Sequence, residues 1–295
     1  GIRIVEGVSG EEGVGQDFGL TRAEGAQSLG IAPIREDGSW AALIPANIPV
    51  RQIAVDKFGM GLLHEPVWVS GNPGESMFCG GCHENRAATT VIQPGLTEAI
   101  VRGPTDLLSD VSRFDRQTLA DFETANIGVP WDLALQPIFD AKCVACHDGD
   151  TNKPGNPSFT LTDEEGNSQT FAFDLRGTEV SYGTGEEMVS GYSISHLSLL
   201  GPDMMDVEDL GLTITGEIPG YIKSEDAAGS ALIEKLNPPQ LYPTVDMNVR
   251  AFDGANHPED VGGTALTAGE YRLLIEMADN GGQFYSRENA PGQNY

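Results

Sequence analysis

The 295-residue chain has four cysteines, Cys79, Cys82, Cys143 and Cys146, and all four lie in the pattern Cys-x-x-Cys-His. The two stretches read "FCGGCHENR" and "KCVACHDGD", closed by His83 and His147. No cysteine is left over for a structural disulfide. The spacing has a chemical reason: two thiols add across the two vinyl groups of a haem, and two intervening residues set both sulfurs along one porphyrin edge. The next residue then offers an imidazole nitrogen to the iron. Zinc is the competing use of four thiolates. Zinc ribbons separate their pairs by about 15–20 residues, whereas Cys79 and Cys143 stand 143 − 79 = 64 positions apart. Zinc also gives no reason for a histidine after both pairs, and a redox dithiol needs only one pair. The pattern therefore predicts two c-type haems, with His83 and His147 as proximal iron ligands.

Each iron has a sixth position to fill. Three further histidines are His64, His196 and His257. His257, in "NHPEDVGG", sits in a loop just ahead of a strongly signalled helix and is either the distal ligand of the second haem or an exposed polar histidine. His64 lies 79 − 64 = 15 residues before Cys79, on a segment leading into the first motif, and is the expected distal ligand of the first. His196, among apolar residues in "GYSISHLSLLG", is either a core histidine or the alternative distal ligand. Met247 is the best thioether candidate, ahead of Met60, Met77, Met188, Met204, Met205 and Met277, which read as packing. Bis-histidine iron is low-spin, has no open site and has a low potential; a methionine ligand raises it.

Composition narrows the setting. The formal charge is −27, which repels nucleic acid and anionic membranes. No apolar run approaches the roughly 18 residues of a membrane span. Attachment of c-type haem takes place outside the cytoplasm, so the protein is expected in the periplasm or beyond, exported by a signal no longer present. Gly1-Ile2-Arg3-Ile4-Val5 already reads as a strand, so the N-terminus is expected to be processed or the chain to be part of a longer one. The run Asp148-Gly149-Asp150-Thr151-Asn152 resembles the start of a calcium loop, but the glycine and the closing glutamate of such a loop are missing, so an acidic turn is expected.

The elements that must position these residues are short. Gly (37) and Pro (18) predict many turns. "SWAALIPANIPVRQIAVD" reads as short strands broken by Pro45 and Pro49, and Glu65 to Val69 as another, closed by the turn Asn72-Pro73-Gly74. A short helix is possible from Ser112 to Thr124. Pro137 opens a short helix that delivers Cys143, similar to the one that carries the haem cysteines in class I cytochromes c. Ser158 to Gly177 reads as an inserted β-hairpin around a polar turn. Thr267-Ala268-Gly269-Glu270 is a capping box. Tyr271, Leu274, Ile275 and Ala278 share one face of the helix that follows, and Asn280-Gly281-Gly282 stops it. The fold class expected is α+β and loop-rich. A β-rich region over 1–130 carries the first haem segment, and a cytochrome-c-like region over 131–295 carries the second.

Several stretches resemble the C-terminal cytochrome region of the hydrazine synthase alpha-subunit-like family: "SWAALIPANIPVRQIAVDKFGM", "GESMFCGGCHENR", "QPIFDAKCVACHDG" and "LTAGEYRLLIEMADNGGQFY". The likeness is patchy over 90–130 and 150–255. It implies a second haem held by two histidines, the distal one shortly before the last helix, where His257 stands. It also implies a tyrosine four residues after the first motif's histidine in catalytic members; here that position is Ala87. The resemblance thus supports the fold and not hydrazine synthesis.

The function expected is a di-haem cytochrome passing single electrons to a redox protein. Two variants compete with it. One is a peroxidase-like enzyme with an open iron, for which Glu84 and Arg86 beside His83 could supply acid and base. The other is an extracellular subunit that self-associates into a conduit.

Overall fold

A computed structural model describes residues 1–8, 25–57, 59–80, 96–108, 129–183, 189–202, 211–217, 220–236 and 257–285. The architecture is α+β and loop-rich, with small sheets and short helices. The Ser112–Thr124 helix, Met188, Met204, Met205 and Met247 lie outside the described residues.

The N-terminal region is a four-stranded antiparallel sheet in the order β2-β1-β4-β5. Its strands are β1 (Ile2–Val8), β2 (Gly25–Ala32), β4 (Val50–Val55) and β5 (Gly61–His64). Alternation along β1 sorts its residues onto two faces. Ile2 and Ile4 join Leu29, Val50 and Leu107 on one face; Val5 joins Ala26, Ile53 and Val55 on the other. The register slips between Ile4 and Val5, where Ile4 faces Gly30 and Val5 faces Ser28. Leu29 is the extra residue of this bulge and is spent on the first core.

Val5's face also carries two buried arginines, Arg3 and Arg51. Arg51 pairs with Glu225 and lies over the Trp68 ring at 5.0 Å. The strand expected at Glu65–Val69 is displaced. Ladder pairing with β4 is made by Gly61–His64, and of the later residues Val69 bridges to Val50. Pro66 supplies no N–H and interrupts the ladder between them. A short parallel ladder joins β3 (Ala42–Leu43) to β6 (Thr105–Asp106), after α1 (Glu98–Arg102).

The larger core is built mainly from residues after 129. A wide helical turn, Trp131–Leu135, runs into α2 (Gln136–Lys142), with Pro137 in its first turn as expected. The hairpin forms as β7 (Ser158–Thr162) against β8 (Ser168–Ala172), burying Phe159, Leu161 and Phe171. Strand β11 (Thr213–Gly216) adds to the outer edge of β7. A second hairpin pairs β9 (Glu179–Tyr182) with β10 (Val189–Ser193), which leads into α3 (Ile194–Leu200). After α4 (Ala231–Lys235), the last helix α5 (Ala268–Asp279) begins at the capping box, both of whose hydrogen bonds form. Tyr271, Leu274, Ile275 and Ala278 are buried, and so are Leu273 and Met277, because the helix is covered on more than one side.

The two regions meet at Asp279. Its carboxylate is fully buried and accepts from Arg3 Nη1 (3.1 Å), Gly61 N (2.8 Å) and Ala227 N (3.0 Å). Gln283 continues the seam by accepting from Ala26 N at 2.9 Å.

Among the described residues, no helix is long and apolar enough to cross a membrane.

Candidate functional site

The second Cys-x-x-Cys-His motif is a tight coil at the end of α2. The Cys143 and Val144 amides donate to Phe139 O (2.8 and 3.0 Å), and those of Cys146 and His147 donate to Cys143 O (3.1 and 2.9 Å). Cys143 is partly buried against the core and Cys146 is exposed. Burial, with the nearby Glu270 carboxylate adding to it and Lys142 opposing it, pushes the Cys143 thiol up to about 12. It is therefore neither a ready thiolate nor a redox nucleophile. Cys79, Cys143 and Cys146 form no disulfide. Among the described residues no three His, Cys, Asp or Glu side chains gather as a metal site.

Lys142 fixes the coil to the last helix. Its ammonium donates to Ala265 O (2.7 Å) and to Glu270 Oε2 (2.5 Å). Burial raises the Glu270 carboxyl, but the Lys142 and Thr267 hydrogen bonds outweigh it and hold the group below the usual glutamate range. The residue that closes the helix cap thus also holds the residue before Cys143.

His147 is held on several sides. Its backbone oxygen accepts from Leu175 N at 2.9 Å, and its ring packs edge-on against Phe173 at 5.1 Å. Nδ1 lies 3.1 Å from Asn156 Oδ1. Gly155, at φ +84°, passes close beneath the ring, where a Cβ would stand 3.3 Å from His147 Cε1.

His257 comes to the same place from the loop before α5. The two imidazole centroids are 6.0 Å apart, with planes inclined at 55°. His257 Nδ1 faces Asp260 at 3.7 Å. Burial, with Lys235 and His147 nearby, holds its pKa below the ordinary histidine value, so the ring is neutral at neutral pH and keeps a lone pair. Two imidazoles bound through nitrogen to opposite sides of one metal ion, at about 2.0 Å each, have centroids roughly 6 Å apart. The His147–His257 pair has that spacing.

The other expected ligands are placed elsewhere. His196 is fully buried; its Nε2 lies 2.8 Å from Gly282 O, its ring meets Trp131 edge-on at 4.6 Å and it stacks on Tyr192. Burial lowers its pKa to about 3, so it is a neutral core histidine. His64 Nε2 is 3.6 Å from Asp279 Oδ1. Met60 and Met277 are core residues and Met77 is exposed.

Of the first motif, Cys79 is exposed at the end of the segment that follows the Asn72–Gly74 turn. Cys82, His83, Glu84, Arg86 and Ala87 lie outside the described residues.

The acidic run after His147 is a turn tied by its own side chains. Asp148 pairs with Lys153 at 2.5 Å, and Asp150 accepts from Asn152 N and Nδ2.

Sequence reasoning missed Asn156, Asp260 and the Lys142–Glu270 tie. "NKPGNPS" reads only as a loop, and nothing in it marks Asn156 as the partner of a histidine nine positions earlier.

Comparison with known proteins places the fold. Residues 3–84 match the family described as hydrazine synthase alpha subunit middle domain, so this segment is related to that subunit. The solved Kuenenia stuttgartiensis hydrazine synthase superposes on all of this chain with a TM-score of 0.62 at 19% identity. At that identity the likeness is one of fold. This chain spans 40% of the length of that one. No curated protein matches the chain.

Proposed function

We propose that this chain is a di-haem c-type cytochrome that carries single electrons, and that its second site holds haem between His147 and His257. The observation that carries the proposal is the 6.0 Å separation of two imidazoles, one of which directly follows a Cys-x-x-Cys pair. When bound, a haem supplies an iron that takes up and releases one electron. Cys143 and Cys146 tether its edge. The Nδ1 side of each ring is turned to an oxygen, on Asn156 and on Asp260, which leaves Nε2 of each for a metal. Burial keeps His257 uncharged. With His147 and His257 both holding it, the group would leave no place for a substrate, which favours a carrier over a peroxidase-like enzyme.

At the first site, Cys79, Cys82 and His83 would anchor a second haem by the same chemistry. His64, whose Nε2 stands 3.6 Å from Asp279 Oδ1, would serve as its further ligand. Thioether attachment implies a periplasmic or extracellular protein. The relation of residues 3–84 to an alpha subunit supports a partner protein or association with further copies, and an electron carrier would need that partner to be a redox protein.

The test is made on the full-length purified protein. Its intact mass should exceed that of the polypeptide by two haems, and the resting spectrum should include a low-spin component at the second site. His257→Ala should convert that component to high-spin and open it to cyanide, and added imidazole should restore the spectrum. A colourless protein of bare polypeptide mass, or a His257→Ala spectrum identical to the original, refutes the proposal.

A further inference from the structure

Asn156 is buried and lies at the centre of three polar contacts. Its Nδ2 is 3.1 Å from Cys146 O and 3.0 Å from Asp150 O. Carbonyl oxygens only accept, so the atom facing both of them is the amide nitrogen. The opposite rotamer would set three acceptors against each other. Oδ1 is therefore the atom 3.1 Å from His147 Nδ1, and it can only accept. The proton of the neutral imidazole must then sit on Nδ1, and the lone pair on Nε2. Two backbone carbonyls in the haem-motif loop thus dictate, through one carboxamide, which nitrogen of His147 can bind a metal.

We infer that Asn156 is the positioning residue that fixes the His147 tautomer and holds down the reduction potential of the second site. This rests on the reading of that site as a haem held between His147 and His257. An acceptor on Nδ1–H makes Nε2 a stronger donor. A stronger donor stabilises ferric over ferrous iron, which lowers the potential. Among the described residues His257 has no equal support: Asp260 stands 3.7 Å from its Nδ1, beyond hydrogen-bond range, and is half exposed. Asn156 is the better-placed lever of the two. Because the same carboxamide braces Cys146 O and Asp150 O, the loop's shape and the ligand's donor strength are set together.

The experiment is a spectroelectrochemical titration of the second site in the full-length haem protein, with Asn156→Leu and Asn156→Asp beside the unsubstituted chain. Both variants lose the Nδ2 contacts; only leucine loses the acceptor. Asn156→Leu should raise the potential, by a tenfold change in the ferric-to-ferrous ratio at fixed potential, about 59 mV for a one-electron couple. Asn156→Asp should lower it. A purely structural role predicts the opposite for leucine, since a loosened loop admits water and favours the ferric state. A fall or no change in Asn156→Leu overturns the inference. If neither variant matures, proton NMR of the unsubstituted reduced protein decides. A slowly exchanging His147 Nδ1–H with a nuclear Overhauser contact to the Asn156 side chain supports the inference, and a proton on Nε2 or no such contact overturns it. A second site that is not low-spin in the unsubstituted protein is a failure of the haem reading instead, and is seen before any variant is made.

Discussion

Asp279→Ala removes the carboxylate at which the N-terminal sheet meets the last helix. Arg3 and Asp279 are 1% and 0% exposed, so the guanidinium left behind stays buried. Among the described residues its remaining contacts are Gly59 O at 2.5 Å and Glu276 at 3.8 Å. Glu276 is a poor substitute: burial, with Asp279 adding to it, pushes its carboxyl up against the pull of Arg3 and Arg272. Removing one partner of a buried ion pair costs about 3–5 kcal/mol. The Gly61 and Ala227 amides also lose their acceptor, at about 1–3 kcal/mol each when unsatisfied. These losses share one carboxylate and do not add, and water entering the hole restores part. The expected loss is about 5 kcal/mol, which in a chain of this size is roughly a 10 °C fall in Tm. Urea unfolding followed by far-ultraviolet circular dichroism on the full-length protein measures it. Asp279→Leu combined with Arg3→Met should recover part of the loss, because no guanidinium is stranded while the Gly61 and Ala227 amides stay without their acceptor. A loss below about 1 kcal/mol, or additive costs in the double variant, would refute the account of Asp279 as the joint between the regions.

Three further outcomes are expected. Glu270 has a folded pKa held below its ordinary value of 4.5, so its stabilisation is present above that value and is lost as pH falls through the folded pKa. Glu270→Gln should flatten that part of the acid limb in a series of urea midpoints from neutral pH downward, and an unchanged slope would count against it. Gly155→Ala forces a left-handed conformation on alanine, at a cost of about 1–2 kcal/mol, and sets a methyl 3.3 Å from His147 Cε1. It should lower Tm and also shift the visible spectrum of the second site, whereas a stability change with an unaltered spectrum would show that the ring does not rest on Gly155. Trp131 is fully buried and donates from Nε1 to Ser195 Oγ at 2.9 Å. Trp131→Ala should cost about 3–5 kcal/mol and Trp131→Phe less, read from the same unfolding curves.

Local chemistry was the legible part of this sequence. Thr267 and Glu270 announce a helix start because both halves of a capping box lie within four residues. Pro137 does the same for α2, and the polar turn after Thr162 for the hairpin. Pairings across long separations were not legible. Nothing in Thr213–Gly216 says that it lies on β7 rather than on any other edge. The Glu65–Val69 expectation weighed β-branched residues and gave too little weight to Pro66, which cannot continue a ladder. His257 meets His147 from the loop ahead of α5, and His64 stands in β5 opposite Ile53 with Nε2 3.6 Å from Asp279 Oδ1; sequence spacing marks neither neighbour. Asn156 was invisible because its role exists only after the chain has turned back at Gly155.

The contact between Arg3 and Asp279 also has a consequence in time. Its partners stand 276 positions apart, so the whole stretch between them must be made before they can meet. Contacts of such long range form late, after shorter loops have closed. Until then the N-terminal sheet presents a guanidinium that cannot be buried cheaply, and its seam with the rest of the protein stays unsealed. Both cysteine motifs lie between the two partners in sequence, so the chain around them is still open while they are being made.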